Sequence, residues 1–392
     1  MNKTDEEIRE EFKKLIESYK ITDDSTEEEI KIFLDKISNW LIENIPQKLY
    51  RYRSCTDYNI HSLENDEIWG SSLLNLNDSF EGIPSFDLEK INQETNGLFC
   101  KEILQEYVEK LLKFGYPYEY KNMIPSEAKK SFSKNLEDGL KNKKLAIEKL
   151  YDFFNSNKVN FINNLNILLG DLIEKIYKNI DLYRSFKKIA CFSTDYKSSL
   201  MWGHYADGNK GFVIEYDLSE LIKKCPMKCK KENLKKCDSL GLNYLLVPVI
   251  YRKNSYDGTD FLIQNIMYNF LSIIFSSNNS NQQTKYFDTD TLFYLKLILN
   301  KSESWNYEKE WRLVANLQLE TEQFTPECIL KCKPKKIFLG VRMREENRKK
   351  IIEICKRKNI EYDEMLVNYL SNDYSIETKS YLEKNNKPII KL

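Results

Sequence analysis

The chain has 392 residues, with 60 Lys+Arg against 60 Asp+Glu, so its formal net charge is zero. That length can bury a full core without disulfides or metal, and the balanced charge excludes the electrostatic footprint of a dedicated nucleic-acid coat while leaving room for a local basic face. No apolar run approaches the roughly 18 residues that a bilayer span needs, and the opening segment MNKTDEEIREEFKKLIESYK lacks the apolar centre of a signal peptide. The expectation is a cytoplasmic protein with no membrane contact.

Residues 4–20 and 26–45 carry helical patterns, the second opening on Ser25 or Thr26 with Glu28 and Glu29 as capping groups before Ile30, Phe33, Leu34, Ile37 and Leu41. They predict an N-terminal helical hairpin over 1–46, stopped by Pro46. The strand-like segment LYRYRS follows, with Leu49, Arg51 and Arg53 on one face and Tyr50 and Tyr52 on the other. A short helix from Thr56 to Leu63, a strand at 67–72 and the polar turn LNDSFEG at 76–82 complete a β-α-β opening over 47–98. From 99 to 186 the pattern changes to long Lys/Leu/Ile/Asn segments of helical period, read as a large helical insertion.

Strands resume over 187–392 with KKIACFST (187–194), a short helix (198–206) and FVIEYD (212–217). Next come a strand at 246–253, helices at 259–276 and 289–301 around a polar linker, strands at 310–315 and 335–341, a helix at 344–357 and a strand at 360–366. Only 12 glycines and 9 prolines punctuate the chain, which favours helices over an all-β fold. The predicted class is α+β: a short-stranded central sheet carrying the N-terminal hairpin and the insertion.

Two clusters could carry chemistry. LMWGHYADGNKG stacks Met201, Trp202, His204 and Tyr205 before a glycine-flanked turn, although Met201, Trp202 and Tyr205 also fit core positions at helical spacing. In ESWNYEKEWRLVA, Glu308, Glu310 and Arg312 share a face if the strand begins at Tyr307, with Trp305, Tyr307 and Trp311 around them. Paired carboxylates beside an arginine can hold a cation, polarise a hydroxyl or form a ladder of charges; the aromatics favour a partly buried site. The nine cysteines read as thiols: CPMKC (225–229) with Cys237, and CILKC (328–332), have zinc-like gaps but no histidine partner, so no metal site is assigned. P-loop, dinucleotide-fold, zincin and α/β-hydrolase motifs are absent from the sequence.

The strings LYRYRS, LNDSFEG, ACFSTDYKSSLMWGHYADGNKGFVIEYD, VIYRK and SWNYEKEWRLVA, in that order over 48–95 and 187–341, resemble a large bacterial family labelled only as a domain of unknown function. Some members of that family are linked to abortive-infection phage defence. A second resemblance concerns order alone. An arginine on a first strand (Arg51 or Arg53), Ser193 with Thr194 on a middle strand, and Glu308-x-Glu310 opening a later strand are similar to the arginine, serine, glutamate pattern of ADP-ribosyltransferases.

That resemblance implies NAD as co-substrate, with Arg51 or Arg53 gripping the pyrophosphate, Ser193 ordering the site and an aromatic such as Trp202 on nicotinamide. Glu310 would be the essential carboxylate and Glu308 would choose the acceptor; separately, the density of aromatic and ionisable residues in the two clusters predicts that His204, Tyr205, Glu310 and Arg312 line one cleft. Two other readings use the same residues. One is a metal-dependent nuclease or phosphoesterase with Asp78, Glu81, His204, Glu308 and Glu310 around Mg²⁺ or Mn²⁺. The other is a non-catalytic sensor that binds a nucleotide or a protein, with the helical insertion as an oligomer or partner surface.

Overall fold

The computed structural model describes residues 3–21, 25–96, 158–218, 244–266, 292–315, 328–369 and 375–389, with isolated positions between. The chain opens with helices α1 (Asp5–Glu17) and α2 (Glu27–Asn44), then strand β1 (Leu49–Arg53), helix α3 (Asp57–Glu64), strands β2 (Glu67–Trp69) and β3 (Ser71–Ser72), and helix α4 (Leu88–Asn96). After the long helix α5 (Lys158–Phe186) come β4 (Lys188–Ser193), α6 (Ser199–Tyr205), β5 (Phe212–Tyr216), β6 (Tyr244–Pro248) and β7 (Ile250–Arg252). The final stretch holds α7 (Phe293–Leu299), β8 (Asn300–Ser302), β9 (Glu310–Ala315), β10 (Cys328–Lys331), β11 (Lys336–Leu339), α8 (Glu345–Lys358), β12 (Glu361–Val367), β13 (Ile376–Thr378) and α9 (Lys379–Lys384).

The fold is α+β, as the sequence predicts. Its main sheet runs β13-β12-β11-β5-β1-β4-β9-β6, with β3 beside β4. Among these pairings only β11 with β12 is parallel. The strands bearing Arg51 and Arg53, Ser193, Phe212 and Glu310 therefore belong to one sheet. Among the described residues, no helix is long and apolar enough to cross a membrane. The CPMKC segment, Cys237, the polar linker and most of the predicted insertion lie outside the described residues; of the insertion, α5 is described, and its Leu172, Ile176 and Ile180 are buried.

Both N-terminal helices begin in capping boxes, Thr4 with Glu7 and Thr26 with Glu29, each pair satisfying two otherwise orphaned backbone donors. Their apolar faces, Phe12 and Ile16 on α1 and Phe33, Leu34, Ile37 and Leu41 on α2, enter the core cluster that also contains Trp311. Trp40 stacks over Trp311 with ring centroids 6.5 Å apart.

The hairpin also clamps the start of β9. Buried Arg9 donates through Nη1 to the carbonyls of Val249 at 2.6 Å and Glu310 at 2.9 Å. Asp5 accepts from Arg9 Nε at 2.6 Å and from Nη2 at 3.0 Å. The guanidinium lies 5.0 Å from the centroid of the Tyr251 ring, and the Tyr251 hydroxyl accepts from the Glu310 N–H at 2.8 Å. Glu310 thus has both backbone groups fixed by residues outside its own strand. Removing a charged donor that serves two carbonyls strips one hydrogen bond from each, although the Glu310 carbonyl keeps the Val249 N–H at 3.0 Å. Arg9→Ala is therefore expected to lower unfolding free energy by about 2 kcal/mol in urea titrations. Arg9→Lys should recover only part of this, since an ammonium cannot reproduce the fork.

Candidate functional site

The sheet is split where the site forms. β1 and β4 are in register at one pair, Tyr50 opposite Ser193. Beyond it, the first half of β4 pairs with β3, Ser71 opposite Ile189 and Ser72 opposite Lys188. A cavity of about 320 Å³ occupies the gap between β1 and β4.

Strand register fixes which side chains face which way. Residues directly opposite one another in an antiparallel pair project to the same face. Tyr50 opposite Ser193, Ser193 opposite Glu310 and Cys191 opposite Arg312 therefore share one face. Arg51 and Arg53 project from the other, where the Arg51 guanidinium lies 5.3 Å from the centroid of the Phe192 ring. Because the sheet is open between them, both sets reach the cavity: Arg51, Arg53, Ser193, Tyr205, Glu308 and Glu310 all line it.

Glu308 does not lie on the strand. Residues Glu303–Glu308 form a 3₁₀ turn, and Lys309 adopts a left-handed φ of 46° before β9 begins at Glu310. The alternation expected from Tyr307 onward gives way to a kinked approach, which brings both carboxylates to the same cavity from two directions.

The carboxylates are 3% exposed each, and their neighbours Lys301 and Arg312 are buried with them. Lys301 Nζ donates to Glu308 at 2.6 Å and to Glu310 at 3.1 Å. Arg312 donates to Glu310 through Nε at 2.8 Å and Nη2 at 3.2 Å, pairs with Glu81, and gives Nη1 to the Ile298 carbonyl. The Tyr205 hydroxyl donates to Glu308 at 2.5 Å. Burial, then the neighbouring Glu310 charge, pushes the Glu308 pKa up to about 7, while Lys301 pulls against the rise. Burial opposes the charge on Lys301, but Glu310 and Glu308 together outweigh it and raise that pKa. The Cys191 thiol is held far above its ordinary range, by burial first and Glu310 second, which makes it a poor nucleophile.

The remaining predicted residues lie elsewhere. Trp202 is fully buried; its Nε1 donates to the Tyr196 carbonyl at 2.7 Å and its ring meets Tyr52 edge-on, so it is a core residue rather than an open stacking face. His204 is exposed and outside the cavity lining, with its ring 6.1 Å from that of Tyr307. Arg312 stands behind Glu310, fully buried, and holds that carboxylate instead of meeting a ligand. Trp311 faces away, onto Trp40.

Sequence reading missed Lys301, Tyr58 and Trp69, all in the cavity wall. Lys301 carries no local signal in a chain with 60 basic residues. Among the described residues, no group of three or more His, Cys, Asp or Glu is placed to hold a metal ion. Cys328 and Cys332 are free thiols. A divalent cation at Glu308 and Glu310 would have to displace Lys301 and Arg312 from oxygens they already occupy.

The buried carboxylate makes stability depend on pH with a definite sign. Between about pH 4.5 and 7, folded Glu308 keeps a proton that the unfolded chain has lost, so its contribution to stability falls as pH rises through that window. Urea titrations of wild type and Glu308→Gln at pH 5, 6 and 7 should diverge accordingly, the wild type losing stability relative to the variant. Parallel pH profiles would contradict the assignment.

Residues 201–313 match the model of a family described as a protein of unknown function, DUF2971. The match runs from the helix carrying Met201 and Tyr205 to β9, and so spans the MWGHYA and YEKEWRL strings. Comparison with curated proteins and with solved structures finds no match.

Proposed function

We propose that the chain consumes NAD, as an ADP-ribosyltransferase or NAD glycohydrolase, and serves as an effector in bacterial defence against phage. The observation that carries the chemistry is the meeting of Arg51 and Arg53, Ser193, and Glu308 with Glu310 around one cavity, although about 260 residues of sequence separate the first from the last. The defence role rests on the resemblance of the LNDSFEG, MWGHYA and YEKEWRL strings to a family with members in abortive infection.

The reaction would proceed in two parts. The bond between ribose and nicotinamide breaks, its electron pair leaves with the ring, and positive charge builds on the sugar. The Glu310 carboxylate, held by Lys301 and Arg312, stabilises that charge more in the transition state than in the ground state. Water or a protein acceptor then adds to the sugar carbon and gives its proton to Glu308, whose pKa near 7 suits a general base at neutral pH. Tyr205 and Lys301 orient that carboxylate.

A second reading has its own support. The oxygens of Glu308 and Glu310 already accept from Tyr205, Lys301 and Arg312. Such a network also suits a rigid, non-catalytic nucleotide sensor. Nicotinamide release separates the two: wild type should turn over NAD, and Glu310→Gln should lose about 10²–10³ in rate, with thermal unfolding run beside it because Glu310 belongs to a buried ion network. Turnover should also rise with pH through about 7 in wild type, and Glu308→Gln should lose that dependence. NAD binding without nicotinamide release would favour the sensor. Nucleic-acid cleavage that needs Mn²⁺ together with Asp78 or Glu310 would replace both readings with the nuclease.

A further inference from the structure

With Trp202 sealed in the core, a flat ring entering the cavity must meet another aromatic. α3 supplies one. Tyr58, Asn59 and Ser62 lie within one helical turn on the side of α3 that lines the cavity, and Tyr58 is 54% exposed. Its ring stands at 70° to that of Trp69. The pair forms a corner in which a planar ligand can lie flat on one ring and meet the edge of the other. Trp69 is fixed from behind, its Nε1 donating to Glu67 at 2.8 Å and its carbonyl accepting from Arg51 at 2.7 Å.

The groups leading inward from this corner follow an order. Exposure along the cavity wall falls from 54% at Tyr58 to 6% at Arg51 and 3% at Glu308 and Glu310. From mouth to floor the cavity therefore presents aromatic rings, then guanidinium groups, then carboxylates. Arg51 keeps Nη2 on the Trp69 carbonyl and Arg53 keeps Nη1 on the Tyr52 carbonyl, and both residues line the cavity. Two guanidinium groups on one cavity wall suit the oxygens of a phosphate.

We propose that Tyr58 and Trp69 form a subsite for the adenine ring of a nucleotide whose phosphate is received by Arg51 and Arg53. This builds on the NAD-consuming reading and orients the dinucleotide, with adenosine at the mouth and the nicotinamide riboside against Glu308 and Glu310. The cavity volume of about 320 Å³ lies near the lower end of ligand sites, which run from roughly 300 to 1,000 Å³. A whole dinucleotide therefore extends beyond it, and adenine occupies the open end.

The test is a titration of the full chain with AMP, nicotinamide mononucleotide and inorganic phosphate, followed by tryptophan emission and calorimetry. AMP should change the emission of wild type but not of Trp69→Phe, and Tyr58→Ala, altered at an exposed position, should bind AMP about tenfold more weakly. Nicotinamide mononucleotide and phosphate should leave the Trp69 signal unchanged. Failure of AMP to bind, equal AMP affinity in Tyr58→Ala and wild type, or a Trp69 signal from nicotinamide mononucleotide but not AMP would overturn the proposal. The subsite and the reaction fail separately. AMP bound at the corner without nicotinamide release from NAD refutes the reaction alone. Nicotinamide release with an unchanged KM for NAD in Tyr58→Ala refutes the subsite alone.

Discussion

The structure turns on a buried group of five charges: Glu81, Glu308 and Glu310 against Lys301 and Arg312, each less than a tenth exposed. Charges this deep persist only when paired and hydrogen-bonded, and removing one partner of such a group costs about 3–5 kcal/mol because the other is stranded. Their five positions come from three places in the chain: the 76–82 turn, β8, and the 3₁₀ turn with the strand that follows it. The group can form only when all three are in place. Within it the acids outnumber the cations by one, and Glu308 relieves the surplus by binding a proton readily near neutral pH.

The same network explains why the sheet can be open beside it. β1 and β4 part after Tyr50 and Ser193, which would leave unpaired strand edges in the middle of a sheet. β3 takes up the first half of β4, while β9 pairs along the whole of β4 and anchors it through the charged group and the Arg9 clamp. The opening carries arginines from one face and carboxylates from the other to a common space. Residues that touch no ligand thus set the geometry of those that would: Arg9 and Tyr251 hold the Glu310 backbone, and Arg312 holds its side chain.

What the sequence made legible follows from which signals are local. Capping boxes and apolar periodicity placed α1 and α2 to within a few residues, and the alternation of LYRYRS assigned Arg51 and Arg53 correctly to one face of β1. The strand EWRLVA began and ended where it was expected. The alternative start at Tyr307, which would put Glu308 on the same face as Glu310, fails at a left-handed Lys309, a conformation with no marker comparable to glycine. Trp202 was offered as a stacking aromatic because amphipathic aromatics look the same in sequence whether they line a cavity or fill a core; its indole N–H is instead satisfied by the Tyr196 carbonyl. Lys301 and Arg9 were invisible, since each acts through partners remote in sequence or through backbone carbonyls that no side-chain pattern encodes.

The central claim is that the split between β1 and β4 is a nucleotide site with arginines on one wall and carboxylates on the other. A crystal structure of the full chain grown with ADP-ribose tests it most directly. The account predicts density in the split, with phosphate oxygens within hydrogen-bond distance of Arg51 or Arg53 and the terminal ribose hydroxyls facing Glu308 and Glu310. Density for the ligand elsewhere, or an empty split at saturating ADP-ribose, would contradict it.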